Sequence, residues 1–204
     1  MSERRLTLAW DCDDVIIPFA HRAVDHYNET YGASVNVAHF YEGAEHWGVE
    51  NLSTAADRVK QYMREKIDSD PGEFTLPDPE AVALINSWSK IHRQLLVTGR
   101  SAFMKPMTHA MSDMHFAGCF EKIIHTDHFS ESSRSKGSVC LEEGADILID
   151  DGLMHCESAV EEGEVEVALL FDKPWNQDRI LHPRIIRCAN LWAVRQEVSR
   201  IAGA

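Results

Sequence analysis

Positive charge is scarce in this chain, and no part of the chain is dense in lysine or arginine. The 204 residues include 20 Lys and Arg against 33 Asp and Glu, so the formal net charge is -13. An acidic protein repels nucleic acid and anionic membrane surfaces unless a local basic patch reverses the field. We therefore expect neither a nucleic-acid polymer nor a membrane among its partners. A site for an anionic substrate would need its own positive charge, from a metal ion or a few placed cations.

Long apolar runs and cysteine motifs are also missing. No apolar stretch reaches the roughly 20 residues of a transmembrane helix, and the first residues lack the apolar segment of a secretory signal. The five cysteines are scattered and include no CxxC pair, which argues against a disulfide framework or a zinc knuckle. Histidine pairs such as His21 and His26 have spacings that suit zinc, but no HExxH signature accompanies them. We expect reduced thiols and a cytoplasmic protein.

What the chain does contain is an alternation of short apolar runs with amphipathic segments, which indicates a parallel sheet covered by helices. Strands are predicted at residues 6–10, 94–97, 119–125, 147–149, 165–171 and 184–187. Helices are predicted at residues 79–89, 102–115, 136–143 and 191–201, with another from about residue 20 to residue 32. The acid-rich residues 157–166 are predicted to form a solvated helix face or a turn.

Residues 18–90 interrupt this alternation directly after the first strand. They are rich in aromatic residues, histidines and charges, with helical rather than strand spacing. We therefore expect an α/β core made of residues 1–17 and 91–204, with a Rossmann-like three-layer α/β/α architecture. Residues 18–90 are expected to be a helical insertion.

Chemistry-bearing residues follow three of the predicted strands. They are residues 11–14 (Asp-Cys-Asp-Asp), residues 98–100 (Thr-Gly-Arg) and the pair Asp150 and Asp151. Ligands of open parallel sheets bind beyond the carboxyl ends of the strands, so these distant segments should meet at one crevice. Several carboxylates cannot crowd one site as bare anions, whereas a hard divalent cation with oxygen ligands resolves the conflict. The sequence therefore predicts a Mg²⁺ site.

The spacing of Asp11 and Asp13 suits a division of labour between two carboxylates at a strand end. One could attack phosphorus in line, while the other exchanges a proton with the leaving oxygen. Thr98 and the Gly99 backbone N–H could hold phosphoryl oxygens. Lys136 is predicted to balance the charge of the transferring group, and Lys105 is the alternative.

Two further sets of residues leave alternatives open. Arg100 could bind a substrate anion or could pair with a surface acid. The aromatic residues Phe19, Tyr41 and Trp47 could stack on a substrate ring, or they could form the small core of the insertion.

The motifs resemble those of the haloacid dehalogenase superfamily. Residues 11–15 match its DxDx(T/V) motif, Thr98 its strand-end Ser/Thr, Lys136 its lysine, and the pair Asp150-Asp151 its terminal acids, all in the family's order. The resemblance implies an aspartyl-phosphate intermediate on Asp11 and an acid/base role for Asp13. It also implies Mg²⁺ held by Asp11, the Asp13 carbonyl and the terminal acids, above all Asp151. The insertion at residues 18–90 resembles that family's helical cap.

Within the superfamily the chain looks similar to the 5'(3')-deoxyribonucleotidase-like branch. The pointers are residues 27–32, 147–151 and 170–176, whereas Asp14, where many relatives have Gly, and the bulky Trp10 depart from the pattern. The resemblance implies a phosphomonoester hydrolase acting on a nucleoside monophosphate or another small phosphorylated metabolite, and it is compatible with a homodimer.

Other activities remain open at the level of sequence. A phosphatase of a non-nucleotide metabolite, a dehalogenase, a phospho-accepting signalling module and a catalytically silent binding protein share parts of the pattern. Asp13 argues against the dehalogenase, which needs no leaving-group acid. The order of the motifs, with the nucleophile first and the acid pair last, argues against the signalling module.

Overall fold

The sheet has six parallel strands and lies at the centre of the fold. The computed structural model of the chain describes residues 4–40, 44–49, 57–58, 61, 64–65, 75–127, 133–177 and 180–203. The strands are β1 (Thr7–Trp10), β2 (Arg93–Thr98), β3 (Lys122–His125), β4 (Ile147–Asp150), β5 (Val167–Phe171) and β6 (Ile185–Cys188). Their order is β3-β2-β1-β4-β5-β6, and all five pairings are parallel. The predicted α/β class is confirmed.

Helices cover both faces of this sheet. In the described ranges they are α1 (Phe19–Tyr31), α2 (Pro79–Trp88), α3 (Lys105–His115), α4 (Lys136–Glu143), α5 (Leu153–Glu161) and α6 (Leu191–Ala202). One core cluster joins the sheet to α2, α3 and α6, and a second joins the opposite face to α4 and α5. No helix in the described ranges is both long enough and apolar enough to cross a bilayer.

Strand β1 is central because its side chains suit burial on both faces. Leu8 and Trp10 belong to one core cluster, and Ala9 between them belongs to the other. Alternate side chains of a strand point to opposite faces, so a continuous apolar run fits a strand covered on both sides. The predicted first strand therefore ends in the middle of the sheet, where Asp11 follows it.

Helix α2 packs on the sheet, although residues 18–90 were assigned to the insertion. Its side chains Ala81, Leu84 and Ile85 lie in the same core cluster as β1. Two buried hydrogen bonds connect the sheet to this helix. The Trp10 indole N–H donates to Gln94 Oε1 (3.2 Å), and the Gln94 amide donates to the Ile85 carbonyl (2.9 Å). These contacts tie α2, the last helix of the assigned insertion, to the core layer.

The chain before α2 has a small core of its own. We call residues 18–40 and 44–49 the inserted segment. Tyr27 and Trp47 pack edge to face with ring centroids 4.8 Å apart, and the Tyr27 hydroxyl donates to the Trp47 carbonyl (2.6 Å). Helix α1 ends at Gly32, whose left-handed φ of 61° favours glycine. The inserted segment is thus held by its own aromatic contacts.

The amino ends of the strands are joined by an ion-pair network around Glu143, the last residue of α4. Its carboxylate accepts hydrogen bonds from Arg93 at the start of β2 (2.8 Å) and from Lys122 at the start of β3 (2.8 and 2.9 Å). The Glu143 side chain is only 9% exposed. The hydrogen bonds from Lys122 and Arg93 lower the pKa of Glu143 below its ordinary value.

Glu143→Gln should lower the free energy of unfolding by about 1 kcal/mol at pH 7. A lowered folded-state pKa contributes stability above the ordinary carboxylate pKa, and this contribution is lost as the pH falls through the folded-state pKa. The difference between variant and wild type, measured by urea unfolding, should therefore shrink as the pH falls below about 4.5. Glu142→Gln is the matched control, because Glu142 is 61% exposed and pairs only at the surface with Arg134. An equal effect of both substitutions, or no dependence on pH, would contradict this assignment.

Candidate active site

Strands β1 and β4 bring the first and last acidic motifs together. Trp10 lies opposite Ile149 in the parallel register, and the Asp11 N–H donates to the Ile149 carbonyl (2.9 Å). Asp11 and Asp150 therefore leave the sheet side by side at its carboxyl edge. On its other side β1 neighbours β2, so Thr98 reaches the same edge. The strand order changes direction at β1, as it does at the ligand crevices of doubly wound sheets.

Lys136 connects the two acids. Its Nζ donates to Asp11 Oδ1 and to Asp150 Oδ2, both at 2.6 Å, and the side chain is 2% exposed. Lys136 is the first residue of α4, which is capped by Ser135 accepting the Ser138 N–H (3.0 Å). A cap at this position fixes the first turn of the helix and so aims the lysine at the sheet edge.

The alternative lysine of the sequence lies elsewhere. Lys105 begins α3, and its side chain is exposed. Lys136 therefore contacts the acids, whereas Lys105 lies at the surface.

Burial and mutual repulsion set the charges of this group. The pKa of Asp11 is raised to about 7: burial is the largest cause, Lys136 opposes it, and repulsion from Asp150 and Asp13 adds to it. Burial alone would lower the pKa of Lys136, but the Asp11 and Asp150 carboxylates hold it above its ordinary value. The ammonium is therefore charged, and it offsets only part of the negative charge around it.

Asp151 adds a third carboxylate. Oxygen atoms of Asp11, Asp150 and Asp151 lie within 4.8 Å of one another, and all three residues are buried. Burial, together with repulsion from Asp150 and Asp11, raises the pKa of Asp151 well above its ordinary value. Carboxylate oxygens without thiolate or imidazole partners suit a hard cation such as Mg²⁺. The donor set and its uncompensated charge fit that ion.

Backbone and side-chain donors hold the terminal acids in place. Asp150 Oδ1 accepts the Gly152 N–H (2.8 Å). Asp151 accepts the Trp175 indole N–H at Oδ2 and the Asn176 side-chain N–H at its carbonyl, both at 2.8 Å. The sequence analysis assigned no site role to Trp175 or Asn176. The available signal was their position just after β5, at the same carboxyl edge as the acids.

Arg100 pairs with the second acid of the first motif. Its Nη2 and Nε donate to the two oxygens of Asp13 at 2.6 and 2.8 Å, and its Nη1 donates to Thr108 Oγ1 at 3.2 Å. The guanidinium is buried and not at the surface; burial alone would lower its pKa, but Asp13 raises it above the ordinary value. Of the two alternatives for Arg100, the structure shows pairing with an acid, and that acid is Asp13.

The end of β2 places Thr98 and Gly99 at the crevice. Thr98 is buried, and its Oγ1 accepts the Arg100 N–H (3.2 Å). This contact orients the hydroxyl group, which retains a proton to donate. Gly99 follows Thr98 directly, so its backbone N–H and the Thr98 hydroxyl group are neighbouring donors at this edge of the sheet.

Asp14 seats the inserted segment on the first motif. Its backbone has a left-handed φ of 61°, and its buried carboxylate accepts the Ala20 N–H of α1 at 3.0 and 3.2 Å. Burial raises the pKa of Asp14 to about 7, while the Ala20 hydrogen bond opposes the shift. A strained residue held by a specific contact fixes where α1 begins relative to Asp13.

The aromatic candidates occupy different surroundings. Trp47 is 3% exposed and lies in the core of the inserted segment with Val24 and Tyr27. Phe19 is half-buried against Phe40, with ring centroids 6.0 Å apart. Tyr41 lies outside the described residues. Burial favours a packing role for Trp47, and Phe19 stays a candidate for substrate contact.

Solved structures similar to this chain include haloacid dehalogenase-like hydrolases. No protein-family model and no curated protein matches the chain. A haloacid dehalogenase-like hydrolase from Streptococcus pneumoniae has a TM-score of 0.63 at 14% identity, over 95% of this chain and 98% of that one. The HAD-hydrolase YfnB from Bacillus subtilis, described as bound to magnesium, has a TM-score of 0.62 at 12% identity, over 96% and 99%. A protein from Thermotoga maritima described as a beta-phosphoglucomutase has a TM-score of 0.54 at 13% identity, over 95% and 99%. At these identities the likeness shows the fold alone: the chain has the fold of haloacid dehalogenase-like hydrolases.

Proposed function

We propose that the chain is a Mg²⁺-dependent phosphomonoester hydrolase of the haloacid dehalogenase superfamily, with Asp11 as its nucleophile. The observation that carries the proposal is the contact of the Lys136 ammonium with Asp11 and Asp150, beside Asp151, at the carboxyl edge of β1 and β4. Such a buried, charged group is unfavourable for stability alone, which points to a functional role.

Asp11, Asp150 and Asp151 would hold the metal ion, together with the Asp13 carbonyl that the family resemblance implies. When bound, Mg²⁺ would neutralise phosphoryl charge and orient the phosphoryl group for attack. The remaining steps would use water and groups of the chain itself.

Asp11 can attack because one of its oxygens stays available. Lys136 occupies Oδ1, so Oδ2 can form the bond to phosphorus as the bond from phosphorus to the ester oxygen breaks. Lys136, the Thr98 hydroxyl and the Gly99 N–H would stabilise the charge on the remaining phosphoryl oxygens. Water then attacks the phosphorus of the aspartyl phosphate, which releases phosphate and restores Asp11.

Asp13 would exchange the proton in both halves of the reaction. The two contacts with Arg100 hold the Asp13 carboxylate in one orientation. In the second half Asp13 would take a proton from water. In the first half Asp13 must carry a proton for the leaving alcohol, so one contact with Arg100 must open when substrate binds. Arg100 would thus act as a positioning residue for Asp13.

The substrate proposed is a nucleoside monophosphate or another small phosphorylated metabolite, as in 5'(3')-deoxyribonucleotidases. It is supported by the motif resemblance of residues 27–32 and 170–176. The chain would act as a cytoplasmic protein, alone or as a homodimer, without a nucleic-acid polymer or a membrane as partner. The insertion at residues 18–90 would act as a cap over the crevice, with α2 as its anchor on the core.

Phosphate release from a panel of monophosphates should require both Mg²⁺ and Asp11. The panel includes nucleoside 5'- and 3'-monophosphates and sugar phosphates. Asp11→Asn should lower kcat by a factor of at least about 10³, because the nucleophile is lost. Asp25→Asn on the exposed face of α1 is the control and should retain activity.

Other outcomes would identify a different function. Chloride release from haloacids without metal would mean a dehalogenase. A stable phosphoprotein without turnover would mean a signalling module. Phosphate release that Asp11→Asn leaves intact would refute the proposal.

Lys136→Met should reduce both activity and stability. It would leave Asp11 and Asp150 buried without a counter-charge, and breaking such a pair costs about 3–5 kcal/mol. Lys105→Met is the matched control and should change neither, because Lys105 is exposed. Lys136→Arg keeps the charge and serves as a second variant if Lys136→Met fails to fold. Its planar guanidinium cannot replace the compact ammonium between the two carboxylates, so its activity should also fall. Equal phosphatase activity of Lys136→Arg and wild type, or loss of activity in Lys105→Met, would contradict the assignment.

Arg100→Lys should separate substrates by their leaving groups. Lysine retains the charge but cannot hold both oxygens of Asp13, so proton transfer should suffer. We compare kcat/KM, which reports the steps up to formation of the aspartyl phosphate and not its hydrolysis. We expect kcat/KM for an alkyl phosphate to fall about 10-fold or more, and kcat/KM for 4-nitrophenyl phosphate, whose leaving group needs no proton, to change little. The exposed Arg195 provides the control variant Arg195→Lys. An equal loss with both substrates would show that Arg100 does not act through Asp13.

A further inference from the structure

The turn that follows β5 holds Asp151 at two points. In this turn, Pro174–Asn176, the Trp175 indole N–H donates to Asp151 Oδ2 and the Asn176 amide donates to the Asp151 carbonyl, both at 2.8 Å. The side chain and the backbone of one acid are therefore fixed by consecutive residues. The bond to Oδ2 restricts rotation of the carboxylate and leaves Oδ1 without this donor.

The turn is itself anchored on the sheet. The buried Asn176 amide also donates to the Phe171 carbonyl at the end of β5 (2.8 Å). Arg187 of β6 donates to Asn176 Oδ1 (2.5 Å) and to its carbonyl (2.7 Å), and it also donates to Asp172 (2.7 Å). This network of hydrogen bonds fixes the turn that carries Trp175 to strands β5 and β6.

The other side of Trp175 faces the inserted segment. Its ring lies against that of Phe40, with centroids 6.3 Å apart and planes tilted by 45°. Phe40 follows the turn Val37–His39 and packs on Trp47 at 5.7 Å. One side chain therefore contacts both an acid of the candidate metal site and the aromatic core of the inserted segment.

We propose that Trp175 is a positioning residue that couples the seating of the inserted segment to the metal affinity of the acid cluster. The inference rests on the proposed function, since it takes Asp11, Asp150 and Asp151 as the Mg²⁺ ligands. A neutral indole donor stabilises the charged carboxylate without bringing a cation that competes with the metal. Displacement of Phe40 would remove packing that holds the indole, so the hydrogen bond to Asp151 would weaken with it.

The test is the affinity of the purified full chain for Mg²⁺, measured by isothermal titration calorimetry without substrate. Trp175→Phe keeps a ring against Phe40 and removes the N–H, and it should weaken binding about 10-fold, as loss of a donor to a metal ligand does. Phe40→Leu keeps the indole and removes the ring contact, and it should weaken binding a few-fold. Trp192→Phe is the matched control, because Trp192 is 65% exposed on α6, and its affinity should equal that of wild type.

One further variant separates failure of this inference from failure of the proposed function. Asp151→Asn should weaken Mg²⁺ binding more than Trp175→Phe does; an unchanged affinity would refute the metal site itself. If Asp151→Asn weakens binding while Trp175→Phe binds like wild type, the role of Trp175 is refuted alone. If Phe40→Leu binds like wild type, the coupling to the inserted segment is refuted.

The indole N–H also provides a spectroscopic signal in the unsubstituted protein. In ¹⁵N-labelled protein the Trp175 indole resonance, assigned by its loss in Trp175→Phe, should shift as Mg²⁺ is added. The Trp192 resonance should not shift. A Trp175 resonance that stays unmoved through saturation with Mg²⁺ would contradict the inference.

Discussion

The ion pairs of Lys136 with Asp11 and Asp150 are the interaction on which the site depends. A buried ammonium and two buried carboxylates each lose their hydration, and only close contacts such as the two at 2.6 Å compensate for that loss. The fold supplies the geometry, because β1 and β4 are neighbours and α4 begins at the lysine. With Asp151 added, three carboxylates lie around one ammonium, and their oxygen atoms fit a divalent cation such as Mg²⁺.

The paired charges and the mutually repelling acids lie at opposite ends of the sheet. At the amino ends, Glu143 pairs with Arg93 and Lys122, and Glu121 also pairs with Arg93, so two acids offset two bases. At the carboxyl ends, burial and repulsion raise the pKa values of Asp11 and Asp151. The same helix, α4, carries Lys136 at its first residue and Glu143 at its last. Helix α4 thus links the ion pairs at the amino ends of the strands to the acid cluster at their carboxyl ends.

The parallel sheet could be predicted because its strands are short apolar runs that can be recognised locally. The meeting of the acids could be predicted because each acidic motif directly follows a strand, and parallel strands end at the same edge of the sheet. The helix predicted from about residue 20 to residue 32 is also present as α1, with Ala20, Ala23, Val24 and Tyr27 on its buried face. The helix Leu153–Glu161 was missed at its start, since its buried face consists of small residues among acids. The contacts of Arg100 with Asp13 and of Trp175 with Asp151 join residues 87 and 24 positions apart. Such pairings depend on tertiary packing, which neither spacing nor composition encodes.

The central claim is that Asp11 becomes covalently phosphorylated, and it can be tested by trapping the intermediate. The protein would be quenched in acid during turnover with Mg²⁺ and an active monophosphate, reduced with borohydride and analysed by peptide mass spectrometry. An acyl phosphate is reduced to a primary alcohol, whereas a free carboxylate is not. The account predicts reduction at Asp11, dependent on both substrate and Mg²⁺. Turnover without reduction of Asp11, whether another residue is reduced or none is, would contradict it.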